Sequence, residues 1–370
     1  MYREVFGKCG RYTCQILYTI TNFCRIGKTP WGGAYLEIIS MKIQLSHKFE
    51  DIISVDNLLL AWQEFIRGKR NKKDVQEFSL RLMDNILQLH RALKNKTYEH
   101  GGYEAFNICD PKPRNIHKAG IRDRLVHHAI YRVLYPFFNQ IFIADSYSCR
   151  IGKGTHKATK RFSDFNYTAS KNNTKTCWVL KCDIRKFFAS ISHDVVIKIL
   201  KQYIFDADVV WLLGKVIRSF SSGKAGIGLP LGNLTSQLFV NVYMNEFDQF
   251  VKHKLKAEHY IRYADDFVIL SDNYSWLGNL LPKISEFLNN QLKLIIHPNK
   301  VSIRTFASGV DFLGWVNFPD HRILRTGTKK RMLKRITINP ANDSLISYLG
   351  LLKHGNTFEL RKKVFELTNL

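Results

Sequence analysis

The sequence predicts an α+β fold in which helices pack on an antiparallel sheet. Regular helical spacing of apolar residues begins at Met41, in the stretch MKIQLSHKFEDIISVDNLLLAWQEFIRGKR. Residues 178–183, WVLKCD, form the apolar run of a buried strand, and residues 260–270, YIRYADDFVIL, place a polar turn between two strand-like runs. Because a tight turn of this kind joins antiparallel strands, the sheet is expected to be antiparallel.

Size and charge restrict the possible functions. The chain has 370 residues and a hydrophobic content of 45%, which excludes a disordered tail and allows two or three packed units. Its 56 Lys and Arg against 31 Asp and Glu give a formal net charge of +25, typical of proteins that bind phosphates. Membrane surfaces and acidic proteins are alternative partners. The 13% of aromatic residues can stack on bases, although most are expected in the core.

The cysteines and the N-terminus point to a cytoplasmic protein. The seven cysteines form no C-x-x-C pair and no zinc-ligand spacing, which predicts reduced thiols. No apolar run approaches the roughly 20 residues of a membrane helix. The N-terminal residues also lack the apolar core and cleavage site of a signal peptide. We therefore expect no export and no membrane anchor.

Four segments differ in composition. Residues 1–40 are turn-rich and poorly periodic, and are either a loosely ordered extension or a stretch before a true start at Met41. Residues 41–177 are mainly helical. Residues 178–318 alternate between strand and helix patterns. Residues 319–370 are predicted to be helical and are strongly basic.

The order of elements follows from local signals. Helical patterns continue from about residue 75 to 95, and a further helix is predicted to begin near Asp123. In the third segment we predict a helix capped by Ser192, the Gly-rich loop SSGKAGIGLPLGN, and a long helix that starts within 233–236. A hairpin centred on 264–266, a helix over 275–290, a strand at LKLII and a short hairpin at VDFLGWVNF follow.

Three aspartates are candidates for chemistry. Asp265 and Asp266 lie in the predicted turn, and Asp183 ends the apolar strand WVLKCD, where a charge is costly unless it is paired or bound to a metal. A solvated turn is the alternative for the Asp pair. If the two strands are neighbours, the carboxylates converge and a divalent cation makes the convergence favourable. Oxygen ligands suit Mg²⁺, and two such ions support in-line phosphoryl transfer.

Five motifs in order resemble the palm of a reverse transcriptase: LKCDIRKFF, GLPLGNLTSQ, YADD, the Lys300 context IHPNKVSI, and FLGW, within residues 105–318. The resemblance implies a right-hand polymerase fold. Residues 41–177 become N-terminal helices and fingers, 178–318 a palm built on an antiparallel sheet, and 319–370 a short helical thumb. It also implies an RNA-directed DNA polymerase that uses two Mg²⁺ ions, dNTPs, a template RNA and the cDNA/RNA duplex.

The resemblance assigns roles around the carboxylates. Asp183 and Asp265 match the metal ligands, with a main-chain carbonyl from Ile184, and Asp266 is the second aspartate of the turn. Lys300 matches a lysine that can protonate or stabilise the leaving pyrophosphate. The residues expected at the incoming nucleotide are Phe188, as a steric gate against a ribose 2′-hydroxyl, and Leu231, Gly232 and Gln237. Relatives commonly have Gln at the position of Leu231 and Pro at that of Gln237.

Basic loops and a hairpin are the expected contacts to phosphates and primer. Lys112 and Arg114 are favoured for the triphosphate, and pairing with nearby acids is the alternative role of Arg122 and Arg124. YSCRIGKGTH, residues 147–156, lacks the spacing of a Walker loop but offers Arg150 and Lys153 to the template backbone. The remaining expected contacts are the primer-end hairpin residues Phe312, Leu313 and Gly314, and the thumb residues Lys329, Lys330 and Arg331.

Details of the motifs resemble the enzymes of diversity-generating retroelements, a group II intron-like lineage. These enzymes make error-prone cDNA and work with a small basic accessory protein that forms a helical bundle, in a bacterial, phage or archaeal host. LGNLTSQ in place of the commoner Q-G-x-x-x-S-P is the main detail. Antiviral, retron and group II intron enzymes are the alternatives. A catalytically idle RNA-binding scaffold is the alternative outside the enzymes.

Overall fold

The computed structural model describes residues 23–28, 34–39, 42–109, 113–338 and 343–368. The chain divides into two compact units, Met1–Leu45 and Ser46–Leu370. In the first unit, β1 (Phe23–Lys28) pairs with β2 (Ala34–Ile39) in an antiparallel hairpin. The turn-rich composition of residues 1–40 did not predict these strands. Met41 lies outside the described residues, so its status as a start stays a prediction.

Helices dominate the N-terminal part of the second unit. In chain order they are α1 (Phe49–Ile53), α2 (Val55–Phe65), α3 (Lys73–Leu80), α4 (Leu82–Lys94), α5 (Ile121–Ile141) and α6 (Thr155–Ala169). Between α4 and α5, the strands β3 (Tyr103–Ile108) and β4 (Arg114–Ala119) form an antiparallel hairpin. The helices predicted near residues 75–95 and from Asp123 are confirmed, whereas much of the predicted basic loop is strand β4.

A four-stranded antiparallel sheet forms the centre of the second unit. Its strands are β5 (Trp178–Asp183), β6 (His259–Tyr263), β7 (Asp266–Ser271) and β8 (Ser302–Thr305), in the order β6-β7-β5-β8. The helices of this segment are α7 (Phe187–Ser190), α8 (His193–Leu200), α9 (Ala207–Arg218), α10 (Leu234–Gln249) and α11 (Tyr274–Leu292). The α+β class with an antiparallel sheet is therefore confirmed.

One predicted strand in this segment is wrong. LKLII was expected to be a strand, but Leu292 ends α11 and Lys293 adopts a left-handed conformation with φ 52°. The N–H of Leu294 then donates to the carbonyl of Leu288, which completes the helix end. Ile296 makes only an isolated bridge to Ile184. The helix cap therefore uses backbone groups that a strand would need.

The C-terminal part joins a small sheet to three helices. The strands β9 (Val310–Phe312), β10 (Trp315–Asn317) and β11 (Arg322–Leu324) pair in the order β11-β10-β9, and α12 (Thr326–Ile338), α13 (Asp343–Leu352) and α14 (Phe358–Thr368) follow. Trp315, Met332 and Val364 belong to one buried cluster that holds this part together. No helix among the described residues is long and apolar enough to cross a membrane.

A fully buried ion pair fixes the hairpin between β6 and β7. Arg262 of β6 donates from Nε and Nη2 to the two carboxylate oxygens of Asp248 on α10, at 2.7 Å each, and both side chains are 0% exposed. Its Nη1 also donates to the main-chain carbonyl of Ala264 in the turn, at 3.2 Å. Tyr260 donates its hydroxyl to Asp248 at 2.7 Å. The turn is thereby tied to α10 through charged hydrogen bonds.

We predict that Arg262→Met lowers the free energy of unfolding by about 3–5 kcal/mol, because the carboxylate of Asp248 is left buried without its partner. The double variant Arg262→Met/Asp248→Leu is expected to be more stable than Arg262→Met, since no unpaired charge remains. Urea unfolding followed by tryptophan fluorescence measures both. Lys160→Met, which breaks the exposed Lys160–Asp164 pair, is the control and should change stability by less than about 1 kcal/mol. A double variant less stable than Arg262→Met contradicts this account.

Candidate active site

The three predicted carboxylates meet at one end of the central sheet. Asp183, the last residue of β5, is directly opposite Asp266, the first residue of β7. Asp265 lies in the two-residue turn that joins β6 to β7, after Ala264 in a left-handed conformation with φ 57°. The main-chain N–H of Ile184 donates to the carbonyl of Asp265 at 3.2 Å. The convergence expected from the sequence is therefore present.

Lys300 also reaches this cluster. Its Nζ donates to Oδ1 of Asp183 at 2.8 Å, from a short 3₁₀ turn over Pro298–Lys300. The main-chain N–H of His297 donates to the carbonyl of Asp183 at 2.7 Å, which holds this turn against the end of β5. Because the Lys300 side chain is 43% exposed, its ammonium can contact solvent or a ligand as well as Asp183.

Burial and mutual repulsion perturb the turn carboxylates. Burial, with a smaller contribution from the charges of Asp266 and Asp183, raises the pKa of Asp265 to about 6, while Lys300 acts in the opposite direction. Burial also raises the pKa of Asp266, against the effect of Lys181 and Lys300. The site therefore holds more negative charge than its surroundings readily stabilise, which favours a bound cation.

The oxygen donors present fit Mg²⁺. The two ladder bonds beside Ile184 use the carbonyls of Asp183 and Ile295, so this pairing leaves the carbonyl of Ile184 unused. In the part of the chain that the structure describes, no group of three or more His, Cys, Asp or Glu side chains is arranged to hold a metal. Mg²⁺ would therefore use the carboxylates of Asp183 and Asp265, the Ile184 carbonyl, and oxygens from water or substrate.

Phe188 is half-buried on the short helix α7 that follows β5, whereas Phe187 is buried at 4% exposure. The rings are 5.5 Å apart between centroids and meet edge to face. The carbonyl of Phe188 accepts a hydrogen bond from the N–H of Leu229, at 2.8 Å. Phe187 therefore occupies the core position, and Phe188 keeps an accessible ring as its predicted steric role requires.

The hairpin β3–β4 contacts the predicted nucleotide loop. The N–H of His117 donates to the carbonyl of Leu231 at 3.1 Å, and the side-chain amide of Asn233 donates to the carbonyl of His117 at 3.0 Å. Gly232 has φ 101°, and a Cβ on it would approach Ile116 Cγ2 to 2.8 Å. Glycine is therefore required there by conformation and by space.

The structure describes some, but not all, of the other residues predicted to contact the nucleotide. Gln237 is half-buried in the first turn of α10, and its backbone N–H donates to the carbonyl of Asn233 at 3.4 Å. Arg114 is exposed at the start of β4. Lys112 lies outside the described residues. Arg124 pairs with Asp74 at 2.8 Å, as the alternative for this arginine anticipated.

Arg150 does not offer the template the free guanidinium that the sequence predicted. Its Nε and Nη2 donate to Oδ1 and the carbonyl of Asn139, and its Nη1 donates to the carbonyls of Ile143 and Ser146. Arg150 therefore anchors the loop to the end of α5. Lys153 donates to the carbonyl of Ala144 at 2.7 Å and lies over the ring of Tyr147, with two further ammonium protons to donate.

The predicted primer-end hairpin is the β9–β10 turn. Phe312 is 0% exposed and packs in a buried cluster with Phe162 and Val179, so a direct contact by its side chain is contradicted. Leu313, with φ 52°, and Gly314, with φ 90°, form the tip. On α12, the predicted nucleic-acid contacts have exposed side chains: Lys329, Lys330 and Arg331.

Two residues around the site were missed. Lys181 on β5 and Arg262 on β6 are charged residues inside otherwise apolar strands. A charge inside an apolar strand needs a partner, and this was the sequence signal that could have identified both residues. Their partners lie on other elements, Asp248 on α10 and Asp311 on β9, and the sequence does not show how those elements pack.

The raised pKa of Asp265 makes a stability prediction for the metal-free protein. Since this pKa exceeds the unfolded value near 3.8, the stabilising contribution of the group is full below about pH 4 and is lost as the pH rises through about 6. Asp265→Asn cannot ionise, and is expected to raise the stability of metal-free protein near neutral pH by about 1–2 kcal/mol.

Thermal melting in the presence of a chelator tests this, and the gain should shrink as the pH falls toward about 4. Added Mg²⁺ is expected to stabilise the native protein but not Asp265→Asn. Asp272→Asn, at the exposed aspartate just after β7, is the matched control and should melt like the native protein at each pH. A metal-free Asp265→Asn variant that melts below the native protein near neutral pH would contradict the account.

Comparisons with known proteins agree with the geometry. The family model described as reverse transcriptase (RNA-dependent DNA polymerase) matches residues 110–317. Protein YkfC of Escherichia coli (strain K12) is 24% identical over 257 residues, which cover 60% of this chain and 65% of that protein. The group II intron-encoded protein LtrA of Lactococcus lactis subsp. cremoris is 22% identical over 338 residues, which cover 71% of this chain and 54% of that protein.

The chain thus spans between about half and two-thirds of the length of these curated relatives. Among solved structures, apo telomerase from Candida tropicalis matches with a TM-score of 0.49 and 12% identity, over 63% of this chain and 50% of that one. The family match covers more than half of the chain and includes Asp183, Asp265, Asp266 and Lys300. The predicted right-hand polymerase fold is confirmed, and the chain belongs to the reverse transcriptase family.

Proposed function

We propose that the protein is an RNA-directed DNA polymerase that makes cDNA by two-metal nucleotidyl transfer. The observation that carries the proposal is that Asp183, at the end of β5, lies opposite Asp266 and next to the turn residue Asp265, with Lys300 bonded to Asp183. Two bound Mg²⁺ ions supply activation of the primer 3′-hydroxyl and stabilisation of the leaving oxygen. Residues 41–177, 178–318 and 319–370 act as fingers, palm and thumb.

Each part of the site has a role in this reaction. Asp183, Asp265 and the carbonyl of Ile184 would hold the metal ions, and Asp266 adds negative charge to the same end of the sheet. Lys300 moves from Asp183 to the pyrophosphate as charge develops there, because its partly exposed ammonium can serve either anion. Phe188 limits the space beside the sugar, and the loop from Leu231 to Asn233 lies under the base pair that forms.

Basic surfaces hold the nucleic acid. Lys112 and Arg114 contact the triphosphate, and Lys153 contacts the template backbone. The tip Leu313–Gly314 supports the primer end. The exposed cations of α12, including Lys329, Lys330 and Arg331, face the phosphates of the template–cDNA duplex. Binding of this kind releases counterions and weakens as salt concentration rises.

We propose that the enzyme belongs to a diversity-generating retroelement. The motif LGNLTSQ supports this assignment, which brings with it error-prone synthesis, a small basic accessory protein that forms a helical bundle, and a cytoplasmic location. The similarity to a group II intron-encoded protein favours the second candidate, a group II intron-like enzyme. A template repeat and variable repeat beside the gene, differing at adenines, would distinguish the first candidate from the second and from antiviral or retron enzymes.

Primer extension on an RNA template tests polymerisation. With Mg²⁺ and dNTPs, Asp265→Ala is expected to reduce the extension rate by at least about a thousandfold, because it removes a metal ligand at the reacting phosphate. Asp272→Ala removes the exposed aspartate just after β7 and should retain the native rate. RNA binding without extension in both the native protein and Asp265→Ala, with the accessory protein present, favours the idle scaffold instead.

Leu231 is expected to relax fidelity. An aliphatic side chain cannot give the nucleotide the hydrogen bond that an amide gives, so discrimination by geometry weakens. We predict that Leu231→Gln lowers misincorporation by about tenfold, the effect of one added hydrogen bond. Single-nucleotide incorporation opposite each template base measures this, with Leu231→Met as the size-matched control. An unchanged error rate in Leu231→Gln would assign Leu231 to packing under the loop.

A further inference from the structure

Lys181 is a cation at the centre of a buried strand. It lies on β5, between β7 and β8, and Val179, Leu180 and Cys182 around it are buried. Successive strand residues face opposite sides, so Lys181 shares a face of the sheet with Val179 and Asp183. An ammonium group there is costly unless it finds partners. The metal ligands and nucleotide contacts described above do not account for it.

The ammonium group of Lys181 is bonded to the small C-terminal sheet. Its Nζ donates to the main-chain carbonyl of Asp311 at 2.5 Å. Asp311 lies on β9, the edge strand whose turn carries Leu313 and Gly314. Val179 and Phe312 belong to the same buried cluster, so apolar packing accompanies this charged hydrogen bond.

Asp311 is also held from the side of α12. Nη2 of Arg325 donates to Oδ1 of Asp311 at 2.5 Å, and the backbone N–H of Arg325 donates to the carbonyl of Gly314 at 3.0 Å. Helix α12 begins at the next residue, Thr326. Asp311 therefore receives one cation from the central sheet and another from the start of the basic helix.

The other neighbour of Lys181 is a carboxylate of the site. In the β5–β7 register Lys181 is opposite Val268 and Asp183 is opposite Asp266. Lys181 and Asp266 are therefore diagonal neighbours on one face, a spacing that a long side chain can bridge. The positive charge of Lys181 favours the ionised form of Asp266. One side chain thus links the carboxylates to the β9–β10 hairpin.

We propose that Lys181 is a positioning residue that fixes the β9–β10 hairpin relative to the catalytic carboxylates and so sets the location of the primer 3′ terminus. The proposal rests on the polymerase function above. Lys181 positions the primer end only. The affinity for the whole duplex comes from α12, and the affinity for the nucleotide comes from the fingers. Asp311 and Arg325 act in the same way from the thumb side.

Lys181→Met tests the proposal, because it keeps the unbranched stem and removes the ammonium group. With 2-aminopurine as the primer 3′ nucleotide, the binary complex of Lys181→Met should fluoresce more strongly than the native complex, with or without Mg²⁺, as the terminus leaves its site. Single-turnover extension should slow by about tenfold, the effect of one charge-assisted hydrogen bond. The dissociation constants of duplex and dNTP, and the half-saturating Mg²⁺ concentration, should stay within about twofold.

Three further variants sharpen the test. Lys181→Arg keeps the charge and should recover most of the native terminal fluorescence and rate. Asp311→Asn removes the charge that pairs with Arg325 but keeps the main-chain carbonyl that accepts from Lys181, so it should raise the terminal fluorescence less than Lys181→Met does. Lys198→Met, at an exposed lysine of α8, should match the native protein in every measurement. If Lys181→Met does not fold, Lys181→Gln, which removes the charge but keeps a polar end, takes its place.

Native terminal fluorescence in Lys181→Met, or in Lys181→Gln where the first variant does not fold, would overturn the proposal. A slower rate with native terminal fluorescence and a changed Mg²⁺ requirement would also overturn it, since Lys181 would then act on the metal site. Failure of the polymerase function itself looks different, because the native protein would then not extend the primer–template duplex, whether or not it binds it.

Discussion

Repulsion between carboxylates at the junction of β5 and β7 is the constraint on which the rest of the site depends. The register places Asp183 opposite Asp266, and the tight turn leaves Asp265 beside them, so like charges share a partly buried volume. The pairing of the sheet imposes this arrangement, and neighbouring cations offset it. Lys300 is bonded to Asp183, and Lys181 lies diagonally from Asp266. Electrostatic repulsion that a fold retains without an evident structural gain is typical of a functional site.

The cationic side chains of this protein have two different roles. Some are used internally: Arg262 holds the turn to α10, Arg150 anchors a loop to the end of α5, and Arg124 pairs with Asp74. Others project from the surface, as along α12. Net charge alone therefore overstates the phosphate-binding surface, because buried arginines contribute to packing and to the geometry of the carboxylates instead.

Much of the fold and the centre of the site could be predicted from the sequence because the signals are local. The apolar runs of the strands, the turn at Asp265 and the helical spacing predict the main elements, and the aspartates converge once the two strands are neighbours. Long-range pairing could not be predicted. Lys181 on β5 and its partner Asp311 on β9 are 130 residues apart. LKLII was predicted to be a strand because its apolar pattern is compatible with one. The left-handed Lys293 and the helix cap decide its backbone instead, so the prediction was wrong.

The central claim is that Asp183 and Asp265 bind the same metal centre. Fe²⁺ in place of Mg²⁺ cuts a protein chain by hydroxyl radicals near its ligands, and mapping the cuts tests the claim most directly. The account predicts two cuts, one near Asp183 and one near Asp265, both suppressed by excess Mg²⁺ and both lost in Asp183→Asn. A cut at only one of these segments, or cuts that Mg²⁺ does not suppress, would contradict it.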